Sequence, residues 1–308
     1  MTSDSRGIAL RVISLLPAGT EIVAALGGLE SLVGISHECD YPPAVTELPR
    51  VTASVVNPKA TSSQIDADVL TLVRADVPLF ALRTEDLRRL APTLIITQSL
   101  CDVCAVSEGE IRNLVGVLDP APRIIPLTGS TVSGVLADMR TVGDAIGRSH
   151  EAALLLANID SRMREVHSVL KAARAPRPRV AVIEWIDPVF VAGHWTPELV
   201  KRGGGIDVLA EPGAHSLQAS VEHIREAKPE LLLFAPCGFS LERSAREARE
   251  LLATEAWSWA GGVEAWALDG NALTSRPGPR LADAVDVIAA IVAPALFPAP
   301  ALEYALRL

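Results

Sequence analysis

The sequence predicts an α/β protein made of two lobes that one long helix joins. Strand-like apolar runs alternate with helix-like segments in residues 1–128, and the same alternation returns in residues 178–308. Strands that alternate with helices in this way form parallel βαβ units. Between the two regions, residues 149–174 contain neither glycine nor proline and carry one apolar stripe. That stripe predicts the long helix.

The first lobe begins with a strand, a helix and a second strand. The run RVISLL (11–16) is continuously apolar, as in a buried parallel strand. The segment PAGTEIVAALGG follows as a helix, with Thr20 expected to cap it and Gly27 to end it. The remaining elements predicted for this lobe are the strands SLVGIS (31–36), TLIITQ (93–98) and RIIPL (123–127) and the short helix TEDLRRLAP (84–92).

The second lobe repeats the scheme after the long helix. The stripe of that helix is formed by residues three or four apart, and its roughly 26 residues would extend about 39 Å as a stiff strut. The elements predicted after it are the strands RVAVIEW (179–185), GIDVLA (205–210), LLLFAP (231–236) and VEAWAL (263–268), a helix in TPELVKRGGG, and a last helix from about Pro279 to Val292. We therefore expect lobes at 1–128 and 178–308, with connecting helices at 129–177.

Length, composition and charge argue against several classes of protein. The 308 residues suit two lobes of ordinary domain size, and 49% apolar with 21% charged residues is typical of a folded chain. A net charge of −9 without any Lys/Arg-rich block argues against nucleic acid as a partner. Since no apolar stretch reaches the ~20 residues that span a bilayer, membrane insertion is not expected.

The start of the chain and its cysteines bear on location. The first residues, MTSDSRGIALRVISLL, carry no basic region, no long apolar core and no small-residue cleavage site. We therefore expect a cytoplasmic protein. In that reducing compartment the four cysteines are expected to be thiols, metal ligands or redox groups rather than a disulfide framework.

Residues with chemical capability follow the predicted strands. In open α/β sheets, ligands bind just past the carboxyl ends of the strands. Pro17 follows the first strand, His37 follows the second, and Trp185 ends the first strand of the second lobe. Every cysteine also lies in such a loop, so if the lobes face each other all the thiols point toward one cleft. The metal ligands that this pattern predicts are Cys39, Cys101, Cys104 and Cys237.

The cysteine pattern leaves alternatives open. The Cys101-x-x-Cys104 pair has no second pair at zinc-ribbon spacing, and the long strut argues against a thioredoxin-like unit. Four cysteines match the number that an iron–sulfur cluster needs, although Cys39 and Cys237 taken singly also suit small buried hydrophobic positions. The chain contains no dinucleotide fingerprint, phosphate loop, zinc-protease motif or nucleophile elbow, and we expect no enzyme activity.

Several stretches of the chain resemble a known family in the same order. They are VISLLPAGTEIVAALGGLESLVGISHECDYPP, WIDPVFVAGHWTPELVKRGGGIDVLAEPG, KPELLLF and SRPGPRLADAV. These stretches resemble the cobalamin-binding proteins of ABC importers, within the class III group that also binds iron-siderophores. The resemblance implies two Rossmann-like α/β lobes joined by one long rigid helix, with a ligand held between the lobes and no catalysis.

The resemblance also implies site residues and partners. Tyr41, Gly193-His194-Trp195 and the stretch from Arg276 to Arg280 match ligand-contacting segments, while Glu108 and Glu222 match the acids that dock on an ABC permease. Together with the strand-end residues, the expected ligand contacts are His37, Tyr41, Pro17, Trp185, Gly193, His194, Trp195, Arg276 and Arg280.

Two function hypotheses follow. The first is a monomeric binding protein for a corrinoid such as cobalamin, held in the cleft between the lobes and used for uptake or intracellular handling. Cobalt accepts nitrogen and sulfur ligands, so His37, His194 or a thiol is a candidate axial ligand. The alternative is a metal ion or iron–sulfur cluster bound by the cysteines and histidines for sensing or redox chemistry.

Overall fold

The computed structural model describes residues 9–99, 111, 116 and 118–308. The chain divides into two compact units: unit 1 comprises Met1–Gly129 and Ser133–Ala157, and unit 2 comprises Ser130–Val132 and Asn158–Leu308. No sheet is shared between the units in the described part of the chain. The expected lobe bounds at 128 and 178 remain predictions.

Unit 1 is built on a parallel sheet. Among the described residues this sheet has four strands in the order β2-β1-β5-β6, and every neighbouring pair is parallel. Ile13 and Ile95 at its centre are fully buried, as the unbroken apolar runs predict. The strands are β1 Val12–Ser14, β2 Leu32–Ile35, β5 Leu94–Gln98 and β6 Arg123–Leu127, and β3 Thr52–Ser54 and β4 Phe80–Leu82 form a separate antiparallel pair.

The helices of unit 1 begin and end for identifiable reasons. Thr20 does not cap the first helix, α1, as predicted: the helix begins at Pro17, whose fixed φ suits the first turn, and Leu16 occupies the cap position. Gly19 lets α1 approach the sheet, since a Cβ there would lie 2.6 Å from Ser14 Oγ. The helices whose bounds the structure describes here are α1 Pro17–Ala25, α2 Ser62–Arg74, α3 Thr84–Leu90 and α4 Val132–Ala145, with 3₁₀ turns at Leu29–Ser31 and Pro43–Glu47.

The long helix, α5, runs from Ser149 to Ala172, close to the expected 149–174. Its 24 residues extend about 36 Å. It ends where Arg174 takes a left-handed conformation with φ +50°, a common way to stop a helix. Within unit 2, Arg162 of this helix pairs with Asp283 at 2.6 Å and Asp286 at 2.5 Å.

Unit 2 contains a mixed sheet rather than a purely parallel one. In the described residues the strand order is β10-β8-β7-β11-β12-β13, with β9 beside β7. Strands β7, β11, β12 and β9 are parallel as predicted, whereas β8 pairs antiparallel with β7, β10 pairs antiparallel with β8, and β13 pairs antiparallel with β12. The strands are β7 Arg179–Trp185, β8 Phe190–Val191, β9 Ile206–Asp207, β10 Leu217–Gln218, β11 Leu231–Phe234, β12 Glu264–Leu268 and β13 Ala305–Arg307.

The helices of unit 2 cover this sheet. The expected strand at 205–210 is reduced to the two residues of β9, and the last helix begins two residues later than predicted, at Leu281. Phe234 and Trp257 are the largest fully buried side chains of the unit's core. The helices are α6 Thr196–Arg202, α7 Val221–Glu226, α8 Leu241–Leu252, α9 Gly270–Leu273 and α10 Leu281–Val292, with a 3₁₀ turn at Glu255–Gly262. Across the described ranges, no helix combines the length and the apolar character that crossing a membrane requires.

Candidate ligand-binding site

In unit 1, the loop after β2 displays Tyr41 at the surface. One terminal nitrogen of Arg50, Nη1, donates to the carbonyl oxygens of Ser36 at 3.0 Å and His37 at 3.1 Å, and also to that of Cys39. Tyr41 is 45% exposed and precedes a cis peptide bond to Pro42. The loop is therefore held by its backbone while its tyrosine stays accessible.

His37 lies at the base of this loop. Its backbone N–H donates to Thr52 Oγ1 at 2.9 Å, and its ring Nδ1 lies 2.7 Å from the same oxygen. The ring packs against Phe80 with a centroid separation of 5.5 Å, and within the described residues Nε2 is buried without a hydrogen-bond partner. Burial, with added repulsion from the Arg50 and Arg83 guanidinium groups, lowers the pKa of His37, which favours the neutral imidazole.

Cys39 and Cys237 have different surroundings, and the metal-ligand role expected for the four cysteines remains a prediction. Cys39 is fully buried, with its Sγ 3.1 Å from Thr20 Oγ1, whereas Cys237 is exposed. Cys101 and Cys104 lie outside the described residues. Among residues 9–99, 111, 116 and 118–308, no group of three or more His, Cys, Asp and Glu side chains comes together to hold a metal. Burial fits Cys39 as a packing residue.

Pro17 marks the end of β1 that leads into α1. It is half-buried at the first position of that helix, and the neighbouring Ser14 hydroxyl donates to the Leu16 carbonyl at 2.8 Å. At the end of another strand of the same sheet, β6, the N–H groups of Thr128 and Gly129 donate to the carboxylate of Asp138 of α4. Burial raises the pKa of Asp138 against the effect of these two bonds. The sequence had given no signal for this carboxylate.

In unit 2, residues 193–195 lead into α6. Trp195 is 6% exposed and its indole Nε1 donates to the Thr274 carbonyl at 2.8 Å, so its ring is largely enclosed. His194 is half-buried, and its ring lies 5.4 Å from that of His215 in an edge-on arrangement. Burial first, and the neighbouring His215 second, lower the pKa of His194. A Cβ at Gly193 would lie 2.5 Å from the Ser216 nitrogen, so glycine is required there.

Trp185, at the end of β7, belongs to a stack of three side chains. Its ring lies 5.1 Å from Phe239, which follows β11, and the Arg243 guanidinium carbon lies 3.5 Å from the centre of the Phe239 ring. Arg243 Nε donates to Glu247 at 2.8 Å, and Glu247 is itself buried. The Trp185 orientation is therefore fixed by packing. Phe239 and Arg243 were not among the predicted contacts, although Phe239 follows a predicted strand.

Arg276 and Arg280 lie inside unit 2. They are 4% and 8% exposed, and Arg276 donates to the Asn271 side-chain oxygen at 2.8 Å. Both act electrostatically on Asp269, whose pKa is raised by burial and partly lowered again by the two guanidinium groups. Their role as ligand contacts remains a prediction, and this burial leaves little of either side chain for direct contact.

The structure describes one of the two acids that are expected to dock on a permease. Glu222 is exposed in the first turn of α7, and Glu226 is exposed on the same helix. Glu108 lies outside the described residues. The docking role of both glutamates remains a prediction.

Comparison with known families identifies the chain. Residues 12–260 match the model of a family described as periplasmic binding protein. The chain belongs to that family. The match covers most of both units, and it confirms the predicted α/β fold of the periplasmic-binding-protein type and a substrate-binding rather than an enzymatic protein.

Individual relatives agree in fold across nearly the whole chain. The vitamin B12-binding protein of Vibrio cholerae is 23% identical over 279 residues, which cover 90% of this chain and 87% of the relative. The solved structure of a periplasmic haem-binding protein from Pseudomonas aeruginosa has a TM-score of 0.71 at 20% identity and 96% coverage of both chains. The structure of the periplasmic vitamin B12-binding protein BtuF of Vibrio cholerae has a TM-score of 0.64 at 21% identity, covering 92% of this chain and 96% of that chain.

The expected cytoplasmic location is wrong. The family is one of periplasmic binding proteins, and both of these similar structures are periplasmic proteins. The sequence argument relied on the first residues of the chain, which are a weak guide compared with a family match over residues 12–260.

Proposed function

We propose that this protein binds a corrinoid, a flat tetrapyrrole related to cobalamin, and delivers it to an ABC permease. The observation that carries the proposal is Tyr41, an exposed aromatic side chain on a loop that Arg50 holds by its backbone. A rigidly held aromatic group binds a large flat ligand without an ordering cost. Similarity to vitamin B12-binding proteins over 90% of the chain supports the same ligand class.

The loops of unit 2 support a ligand with a neutral periphery. Haem, the ligand of one similar structure, carries carboxylates that need cationic or strong hydrogen-bond donors. The arginines near the strand ends of unit 2 are engaged within the protein: Arg243 pairs with Glu247, and Arg276 is buried and bonded to Asn271. A corrinoid carries neutral amides around its ring and therefore does not need these arginines as counter-ions.

A ligand panel tests the proposal. The purified protein is titrated with cyanocobalamin, cobinamide, haemin and a ferric siderophore, and binding is followed by calorimetry and by the ligand's absorption bands. We expect a corrinoid to bind tightest. Tighter binding of haemin or the siderophore than of either corrinoid would overturn the proposal.

The same titration tests Tyr41. We expect Tyr41→Ala to weaken corrinoid binding about tenfold, the loss of one well-placed aromatic contact. Tyr304→Phe is the matched control, because Tyr304 is the other tyrosine of the chain and precedes β13 in unit 2. Equal affinity of the Tyr41→Ala variant and the native protein would remove Tyr41 from the site.

Permease delivery is tested on α7. We expect Glu222→Lys to reduce ligand uptake through the partner permease in reconstituted vesicles, because a docking acid is replaced by a repelling cation. Glu226→Lys on the same helix controls for the change in charge. Equal loss with both variants would argue for a general charge effect rather than a docking residue.

A further inference from the structure

Two loops of unit 2 meet in a polar corner formed by His194, His215 and Ser216. The backbone N–H of His194 donates to the carbonyl of Ala214 at 2.6 Å. The two loops can touch because Gly193 has no Cβ. A Cβ at this position would lie 2.5 Å from the Ser216 nitrogen and 2.6 Å from the Ala214 oxygen. The backbone therefore fixes the loops against each other.

His194 takes a left-handed backbone conformation with φ +54°. Histidine is among the residue types that adopt this region more often than most. The loop contact at Gly193 and the bond from the His194 N–H to Ala214 hold the backbone in this conformation, so the position of the imidazole is set by the two loops.

The corner contains buried polar atoms that lack partners. His194 Nε2 and Ser216 Oγ are both buried, and neither has a hydrogen-bond partner in the part of the chain that the structure describes. Buried groups without partners are rare and unfavourable in folded proteins. Neither atom has a hydrogen bond to lose. A ring flip at His194 or a side-chain rotation at Ser216 that brings the atom to a ligand therefore costs little free energy. Both residues are themselves only half-buried, so part of each reaches the protein surface.

The hydrogen-bonding capacity of the corner suits a neutral amide. A neutral imidazole offers one donor and one acceptor, and a serine hydroxyl offers both. An amide side chain also donates and accepts, whereas a carboxylate only accepts and brings a charge. Unlike arginine or lysine, neither histidine nor serine carries a permanent positive charge that would offset the charge of a carboxylate.

We propose that this corner is a subsite for an amide side chain at the edge of the ligand, with His194 and Ser216 bonded to the amide and His215 positioning the His194 ring. The inference rests on the proposed function, because a corrinoid carries such amides where haem carries carboxylates. The corner then contributes to the choice between these two ligand classes.

Singly hydrolysed derivatives of cyanocobalamin, each with one peripheral amide converted to a carboxylate, test the subsite. We expect at least one derivative to bind the native protein about tenfold more weakly than cyanocobalamin does. We expect the His194→Asn and Ser216→Ala variants to bind cyanocobalamin about tenfold more weakly than the native protein does. Each variant should bind that derivative and cyanocobalamin with similar affinity, because the contact that distinguishes them is lost. Asparagine tolerates the left-handed conformation, and alanine removes one oxygen, so both variants keep the fold. His223→Asn, at an exposed position of α7, is the control.

The outcomes separate this inference from the proposed function. If the native protein binds no corrinoid, both the proposed function and the amide subsite are overturned. If the native protein binds all the derivatives as tightly as cyanocobalamin, the amide subsite is overturned and the proposed function stands. The same holds if the His194→Asn and Ser216→Ala variants bind cyanocobalamin as tightly as the native protein does. Thermal melting of each variant identifies any loss of affinity that comes from unfolding.

Discussion

The loops that follow β2 in unit 1 and β11 in unit 2 are each held by an arginine, but in different ways. Arg50 of unit 1 bonds to backbone carbonyls of the loop 36–39, so it fixes the path of the chain. Arg243 of unit 2 lies on the Phe239 ring and pairs with Glu247, so it fixes side chains. The comparison shows that a loop with an exposed aromatic side chain is held through its backbone, while a packed aromatic surface is held through side chains.

The histidines next to these loops differ in a similar way. His37 bonds through its ring to Thr52, and the charges near it are the permanent ones of Arg50 and Arg83. The His194 ring faces the ring of His215 in an edge-on arrangement. The His37 ring is therefore held by a hydrogen bond, and the His194 ring by a contact with a second ring.

The largest expected effect is at Arg50. We expect Arg50→Met to lower the free energy of unfolding by about 3 to 4 kcal/mol, because charge-assisted bonds to partly buried carbonyls are lost and those carbonyls are left without these donors. Urea unfolding measures the change. Arg89→Met is the control: Arg89 is exposed and pairs with Asp86 within one helix, a contact worth less than about 0.5 kcal/mol. If Arg50→Met costs no more than this control, backbone bonding does not explain the unit 1 loop.

A buried acid in unit 2 gives the next effect, and it depends on pH. Burial raises the pKa of Asp207 from 3.8 to about 6, although the carboxylate accepts bonds from the N–H groups of Leu209 and Ala210. Its folded pKa lies above the unfolded value. Its contribution to stability is therefore fully present below about pH 4 and lost as the pH rises through about 6.

We accordingly expect Asp207→Asn to remove this dependence, since an amide oxygen still accepts both bonds. The native protein should lose about 2 to 3 kcal/mol relative to the variant between pH 4 and pH 7. Urea unfolding across that range provides the measurement. Parallel curves for the two proteins would show that Asp207 does not titrate in it.

Arg243 in unit 2 is the counterpart of Arg50 and has a smaller expected effect. We expect Arg243→Met to cost about 2 kcal/mol, because Glu247 loses its close partner while it stays buried, although methionine keeps the contact with Phe239. Arg246→Met is the control, since Arg246 is mostly exposed and lies 3.6 Å from the same carboxylate. We also expect the unit 1 loop to be unaffected, as judged by its rate of proteolysis. A loss as small as that of the control would make the pair with Glu247 unimportant.

The smallest effect is a change in histidine titration. We expect Arg50→Met to raise the pKa of His37 and His215→Gln to raise the pKa of His194, because each change removes a positive neighbour. NMR titration of the imidazole protons measures both shifts. Neither pKa should reach its ordinary value, because burial is the larger cause in each case. An unchanged His37 titration in the Arg50 variant would show that the charge of Arg50 does not lower the pKa of His37.

Local sequence patterns determined the parallel strands and the long helix. The continuous apolar runs of β1, β5, β7 and β11 follow from burial on both faces, and the stripe of α5 follows from the helical repeat. The strand-end rule also indicated His37 and Trp185, since topology brings the carboxyl ends of parallel strands to one edge of a sheet. The short strands β8, β10 and β13 were missed, because two or three residues carry no measurable period.

Only the tertiary structure decided what surrounds each candidate residue. Cys39 and Cys237 both follow strands, yet one is buried against Thr20 and the other is exposed. Arg50 lies eleven residues beyond Cys39, and no local pattern connects its side chain to the loop carbonyls. Spacing along the chain predicts which edge of a sheet a residue reaches, because that follows from the backbone. Burial, partners and pKa depend on side chains that are distant in sequence, and these become known only when the chain is folded.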